Sequence, residues 1–341
     1  MRWLVLMAVS AVTLALAGCG SETAPTGGDS STATGTQAAS QTVVDGNGEL
    51  VAHGILMQRE PDGDVEICIG GVAESLPPQC SGPVLGGAFS WDEVDARSHS
   101  GVTWTDESYY AVGRYTPGQA FGGSITLTRP VSADPPEGFT PPVADDVGFP
   151  QLCEDPTADI PDVDQAARTL APEALDEEEA LQQRVQTLDG YVTSWVSDGG
   201  PLMNVVVNSD PEIARAALRE VFHGPLCVVQ QDLPSQGDVM AAIEALGTEH
   251  EELQLLGSGT GGVTGLLTVN VVLADQVTVD RILAIVEPWL APGHVRIWSA
   301  LQPLDADGST EPTTDDTGWI RGGPVDPGSF DDPGNPGHPD S

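Results

Sequence analysis

Residues able to do chemistry are present in this chain, but their spacing fits no standard site. Gly257-Ser258-Gly259-Thr260-Gly261-Gly262 satisfies GxGxxG, the pattern that cradles a pyrophosphate where a strand opens into a helix. Here the pattern precedes Gly265–Leu273, which alternates as a strand, so we expect a hairpin connection and no dinucleotide. No Ser sits in a GxSxG elbow, and HExxH is absent. His53, His99, His223, His250 and His294 never neighbour one another at motif spacing. His223-Gly224 and Gly293-His294 fall at expected helix ends, where His helps cap carbonyls. Asp62-Gly63-Asp64 and Asp305-Ala306-Asp307-Gly308 resemble the start of a calcium loop but lack its distal bidentate Glu. They read as solvated turns. We expect no catalytic residue, no metal site and no cofactor, with a hydrolase site assembled only in three dimensions as an alternative.

Aromatic and sheet-face residues offer binding chemistry. Trp91, Trp104, Tyr109, Tyr110, Tyr115 and Phe121 could form a stacking platform for a sugar or peptide, although such residues more often fill a small β core. Further on, Leu267, Val269, Val271 and Leu273 alternate with Thr268, Asn270 and Val272. The polar side, with Arg296 and Trp298 from the last strand, could form a docking surface if left open; otherwise the long helix Glu173–Leu188 covers it.

The amino terminus carries one charge, Arg2, then an apolar run from Trp3 to Leu16. That is an n-region and h-region, too short for a membrane-spanning helix, which needs about 20 apolar residues. It ends in Leu16-Ala17-Gly18-Cys19, which resembles the lipobox of bacterial lipoproteins. The resemblance implies cleavage after residue 18 and acylation (palmitate or similar) of Cys19, the membrane anchor. Residues 19–42 are Ser, Thr, Gly and Ala with little apolar bulk, as in a disordered tether. The four other cysteines, Cys68, Cys80, Cys153 and Cys227, suit disulfides outside the cytoplasm. Three pairings are possible. Cys68–Cys80 is favoured because both lie in one module, which leaves Cys153–Cys227. Zinc fits poorly, with no CxxC pair and no His at ligand spacing.

Charge narrows the classes of partner. Among 341 residues, 51 are acidic and 12 basic, a net charge of −39, and there is no Lys. The acids are spread along the chain and no module is basic, which argues against nucleic acid and against direct contact with an anionic lipid surface. Gly and Pro, 40 and 28 residues, mark many turns and a Pro-rich connector.

The elements that would position these residues form two folded modules. Residues 43–129 read as short strands, Val51–Gln58, Val65–Ile69, Gly101–Thr105, Tyr109–Tyr115 and Gly123–Thr128. This is a small all-β module, an OB-like barrel or sandwich. Residues 130–161 are an acidic, Pro-rich linker whose far end Cys153 would pin to the second module. Residues 162–189 are a helical connector, with helices Asp162–Leu170 and Glu173–Leu188. Residues 190–304 follow a βα-β-α-ββα-β order. A capping box at Ser209-Asp210-Pro211-Glu212 opens the first helix, and Ser235 with Asp238 caps the second. The pattern predicts an α+β ferredoxin-like sandwich with one extra helix. Residues 305–341 read as a disordered acidic tail, whose stretch Gly318–Arg321 is its one apolar point.

The stretch Gly54-Ile55-Leu56-Met57-Gln58-Arg59, Cys68, Gly71-Val72-Ala73-Glu74-Ser75 and Pro78-Gln79-Cys80-Ser81-Gly82 resembles uncharacterised secreted proteins and lipoproteins of high-GC Gram-positive (actinobacterial) organisms. The resemblance spans about 80 residues, in which both cysteines recur. It strengthens the Cys68–Cys80 pairing and implies no activity. The expectation is a non-enzymatic, lipid-anchored protein on the outer face of the cell membrane, binding or scaffolding an envelope protein partner. The alternative is an extracytoplasmic binder of a sugar, peptide or cation.

Overall fold

The computed structural model describes residues 43–118, 121–142, 148–154, 172–198 and 202–304. The expected signal segment and tether, the helix expected at Asp162–Leu170 and the expected tail from Asp305 lie outside the described residues. The molecule is mostly β, with a closed five-strand barrel and a few helices.

The barrel is built from β1 (Leu50–Gln58), β2 (Val65–Cys68), β3 (Val84–Gly86), β6 (Tyr109–Thr116) and β7 (Ser124–Leu127). The strands run β1-β2-β3-β7-β6 and β6 returns to β1, with β3 and β7 parallel and every other pair antiparallel. Two edge strands, β4 (Arg97–His99) and β5 (Val102–Trp104), extend β1 outside the ring. The sequence reading named Gly101–Thr105 as a principal strand and missed Val84–Gly86. β3 is only three residues long and follows Pro83, so its strand character comes from its neighbours and not from its own pattern. Closure brings backbones very close. A Cβ at Gly54 would stand 1.8 Å from the Cys68 carbonyl oxygen, and one at Gly113 would stand 2.3 Å from that of Thr126. Leu50, Leu56, Ile67 and Ile125 are fully buried inside, each contributing about 1.5–3 kcal/mol.

Beyond the linker, the chain repeats itself. Helix α1 (Pro172–Val185), β8 (Tyr191–Val196), β9 (Met203–Val207), α2 (Pro211–Arg219) and β10 (Leu226–Gln230) form one unit. Helix α3 (Gln236–Gly247), β11 (Leu255–Thr260), β12 (Leu267–Val271), α4 (Gln276–Val286) and β13 (Val295–Ser299) form the other. Each has a three-stranded sheet with one antiparallel and one parallel pair. The registers coincide when shifted by 64 residues: Tyr191 faces Val207 as Leu255 faces Val271 (191 to 255, 207 to 271). The bulge recurs too, between Tyr191 and Thr193 in one sheet and between Leu255 and Gly257 in the other. A ferredoxin-like sandwich requires one continuous sheet, so that expectation is corrected: the strands divide between two. The expected order βα-β-α-ββα-β has one strand where the first unit opens with two, β8 and β9, which hid the repeat.

Local chemistry explains the helices. Asp210 and Asp275, 65 residues apart (210 to 275), cap α2 and α4 by accepting backbone N–H bonds from Glu212 at 2.9 Å and from Thr278 at 2.8 Å. The cap of α2 is therefore Asp210 and not Ser209, whose hydroxyl donates to the Asp189 carbonyl at 2.7 Å. Ser235 caps α3 as expected, accepting from Asp238 N. α1 and α2 bury Leu181, Val185, Ala214 and Leu218 on the first sheet. α3 and α4 bury Val239, Ala242, Leu246, Val279, Ile282 and Val286 on the second.

The second repeat is joined to the barrel. β14 (Gln302–Pro303) pairs with the start of β1, and Val272, Leu273 and Leu301 are buried in the barrel's core cluster. Val44 N–H donates to the Ala274 carbonyl at 2.9 Å.

Candidate functional site

Alternate residues of a strand face opposite sides, so each repeat has a helix-covered inner face and an outer face. In the second repeat the outer face carries two cross-strand rows. Gly257, Asn270 and Trp298 are in register, and beside them stand Gly259, Thr268 and Arg296. The four residues expected on this surface, Thr268, Asn270, Arg296 and Trp298, are thus brought together, and the helix Pro172–Val185 packs in the first repeat instead. Asn270 is exposed, and Thr268, Arg296 and Trp298 are half-buried. The Arg296 guanidinium donates to the Gly293 and Val295 carbonyls, at 3.2 and 3.4 Å. It is oriented by its own strand. Gly257 and Gly259 extend the face as a bare floor, since a Cβ at either would meet no atom within 4 Å. Four of the six residues of the GxGxxG run, Gly257–Thr260, are therefore strand, where a hairpin connection was expected; the turn begins at Gly261.

The barrel aromatics lie elsewhere. Trp104, Tyr109 and Tyr110 are buried and Trp91 is half-buried. Their polar atoms are engaged within the fold. Trp91 Nε1 donates to Gln58 Oε1, Trp104 Nε1 donates to Asp106 Oδ1, and the Tyr109 hydroxyl accepts from Asp95 N, at 3.2, 3.2 and 3.1 Å. Tyr110 stacks on exposed His53 with ring centroids 4.2 Å apart, and Phe139 meets it edge-on. These contacts describe a core with an aromatic rim more than an open platform.

Sequence reasoning did not find the cavity between the barrel and the second repeat. It has a volume of about 310 Å³ and is lined by Gly70, Gly71, Ser81, Phe121, His250, Leu255 and Leu256. Phe121 stacks over His250 at 5.9 Å, and the Gly122 N–H donates to Gln254 Oε1 at 2.5 Å. Its walls come from four distant segments, so no local motif signals it.

Disulfides join Cys68 to Cys80 and Cys153 to Cys227. The second fastens the end of the linker to the first repeat's outer face. Among the described residues no group of three metal-ligating side chains occurs, and no helix is long and apolar enough to cross a membrane. Cys19 lies outside the described residues. No protein-family model matches this chain, and no curated protein is similar to it.

Proposed function

We propose that this is a lipid-anchored, extracytoplasmic envelope protein that binds or scaffolds a protein partner without catalysis. The observation behind the binding role is the outer face of the second repeat, where Trp298 and Asn270 are in register and Thr268 stands in the adjacent row, beside a glycine floor. An aromatic anchor beside polar groups is the usual composition of a binding hot spot. The lipobox-like Leu16-Ala17-Gly18-Cys19 and the two disulfides support a site outside the cytoplasmic membrane, anchored through Cys19. We read the barrel as OB-like from its cyclic strand order, and the chain as two modules, 43–129 and 190–304, with a shared joint. A net charge of −39 supports a partner other than nucleic acid.

Photo-cross-linking in intact cells tests this reading. Amine reagents would fail, since the chain has no Lys and an acylated amino terminus is expected. A photo-reactive residue goes at Asn270 and, as control, at exposed His53 on the barrel. One discrete protein captured from position 270 and not from 53 is the expected result. No capture from either position would overturn it.

The inter-module cavity favours a second reading, a small-ligand binder. At about 310 Å³ it lies at the lower end of the roughly 300–1,000 Å³ typical of ligand sites. A thermal shift with one ligand class that His250→Ala abolishes would favour it.

A further inference from the structure

The outer face of the second repeat has a counterpart, position for position, in the first. Trp195 corresponds to Gly259, Asn204 to Thr268, Val206 to Asn270, Cys227 to Arg296 and Val229 to Trp298. In the first repeat this face is covered by an extended piece of the same chain, residues 148–154. Leu152 N–H donates to Asn204 Oδ1 at 3.0 Å, Trp195 Nε1 donates to the Pro150 carbonyl at 2.8 Å, and Cys153 is bonded to Cys227. Asn204 is fully buried under it, with its amide also donating to Ser197 Oγ at 2.7 Å. The face is built to grip a backbone through a side-chain amide and to shield it with an indole.

The second repeat keeps that backbone geometry and lacks the indole on its edge strand. Where Trp195 stands, it has Gly259, with open space beside it. Among the described residues the side chains of Thr268, Asn270 and Trp298 make no hydrogen bond, in contrast to Asn204 and Trp195.

We propose that this face is occupied in cis by the chain's own segment Gly318-Trp319-Ile320-Arg321, as 148–154 occupies the first. The proposal rests on the reading of this face as a docking surface and names its resting occupant. Trp319 supplies the indole missing at Gly259 and lies on the glycine floor. Thr268 and Asn270 bond the segment's backbone as Asn204 bonds Leu152. Trp319 and Ile320 are the one adjacent pair of bulky apolar residues after Leu304. The reach is sufficient: the described chain ends at Leu304, five residues beyond β13, and the 14 residues from there to Gly318 extend to about 46 Å. Tethering at this distance makes the effective concentration roughly millimolar. A partner must therefore displace a segment already in place.

The test uses the purified full chain at low concentration, with a photo-reactive residue at Asn270 and, in a second variant, at Thr268. Linked peptides are mapped by mass spectrometry, and folding is checked by circular dichroism. The expected result is an intramolecular link into 318–321, whose yield falls about tenfold or more in Trp319→Ala/Ile320→Ala, the effect of losing an aromatic anchor. Links scattered along the tail, links to a second copy that grow with concentration, or no link from either folded variant would overturn it. Capture of a partner in cells without the cis link would leave the docking surface standing and remove its self-occupancy. A cis link without a partner would do the reverse.

Discussion

The two repeats share a backbone and differ in what they do with it. Both have the same register, the same bulge and an Asp cap on the crossover helix. Their inner faces are equivalent in chemistry: Met203, Val205 and Val207 in one, Leu267, Val269 and Val271 in the other, all buried against two helices. Their outer faces diverge. The first is closed by its linker and a disulfide, and Val192, Trp195 and Val206 form a further small core with Val263. The second bears Gly257, Gly259, Thr268, Asn270, Arg296 and Trp298. Since a strand presents alternate residues to opposite sides, one face can keep the fold while the other is rewritten for binding.

The largest expected effect breaks the first repeat's closure. Replacing Cys153 and Cys227 together by Ser opens a loop of 74 residues and should cost about 4 kcal/mol. A lower denaturant midpoint would show it. Hydrogen exchange should rise in β8–β10 and stay low in β11–β13. An equal rise in both sheets would mean that the repeats unfold as one unit and would end the contrast.

A smaller effect sharpens the same contrast one position at a time. Asn204→Ala removes the acceptor of the Leu152 N–H and the donor to Ser197, and should cost about 1–3 kcal/mol. Its counterpart Thr268→Ala removes no hydrogen bond seen among the described residues and should stay within about 0.5 kcal/mol. Paired denaturant curves measure both. Equal losses would show that the second face already carries a structural load.

Local signals made part of this legible. The alternation of Leu267–Val271, the cap at Ser235 and the Cys68–Cys80 pair, 12 residues apart, are short-range features visible in the fold, whereas Val272 and Leu273, expected on opposite faces, are both buried in the barrel's core cluster. β11 was harder, because Gly257 and Gly259 read locally as turn while pairing with β12 holds them extended. β3 was hidden for a similar reason. The repeat was hidden because its signature is register and bulge, which need coordinates. Of the candidate site, Thr268, Asn270, Arg296 and Trp298 followed from strand period alone. Their glycine floor and the cavity at Phe121 and His250 depend on how distant segments meet.

The smallest effect concerns the inner faces, where Tyr191 of the first repeat corresponds to Leu255 of the second. Tyr191 is 8% exposed, and burial raises its phenol above the ordinary 10.0, against a lowering contribution from its 2.8 Å hydrogen bond with Ser194. The folded state therefore favours the neutral phenol. Its stabilising contribution is complete below pH 10.0 and is lost as pH rises through the raised folded value. Tyr115 in the barrel behaves alike, through burial and the nearby Asp275 charge. Denaturant midpoints should thus fall above pH 10. Tyr191→Phe should flatten that fall in the first repeat and leave the part due to Tyr115, while the Leu255 side of the comparison has no phenol to titrate. Superimposable alkaline profiles for wild type and Tyr191→Phe would show that this phenol ionises as freely in the fold as out of it, and the inner faces would then be equivalent in charge as well as in packing.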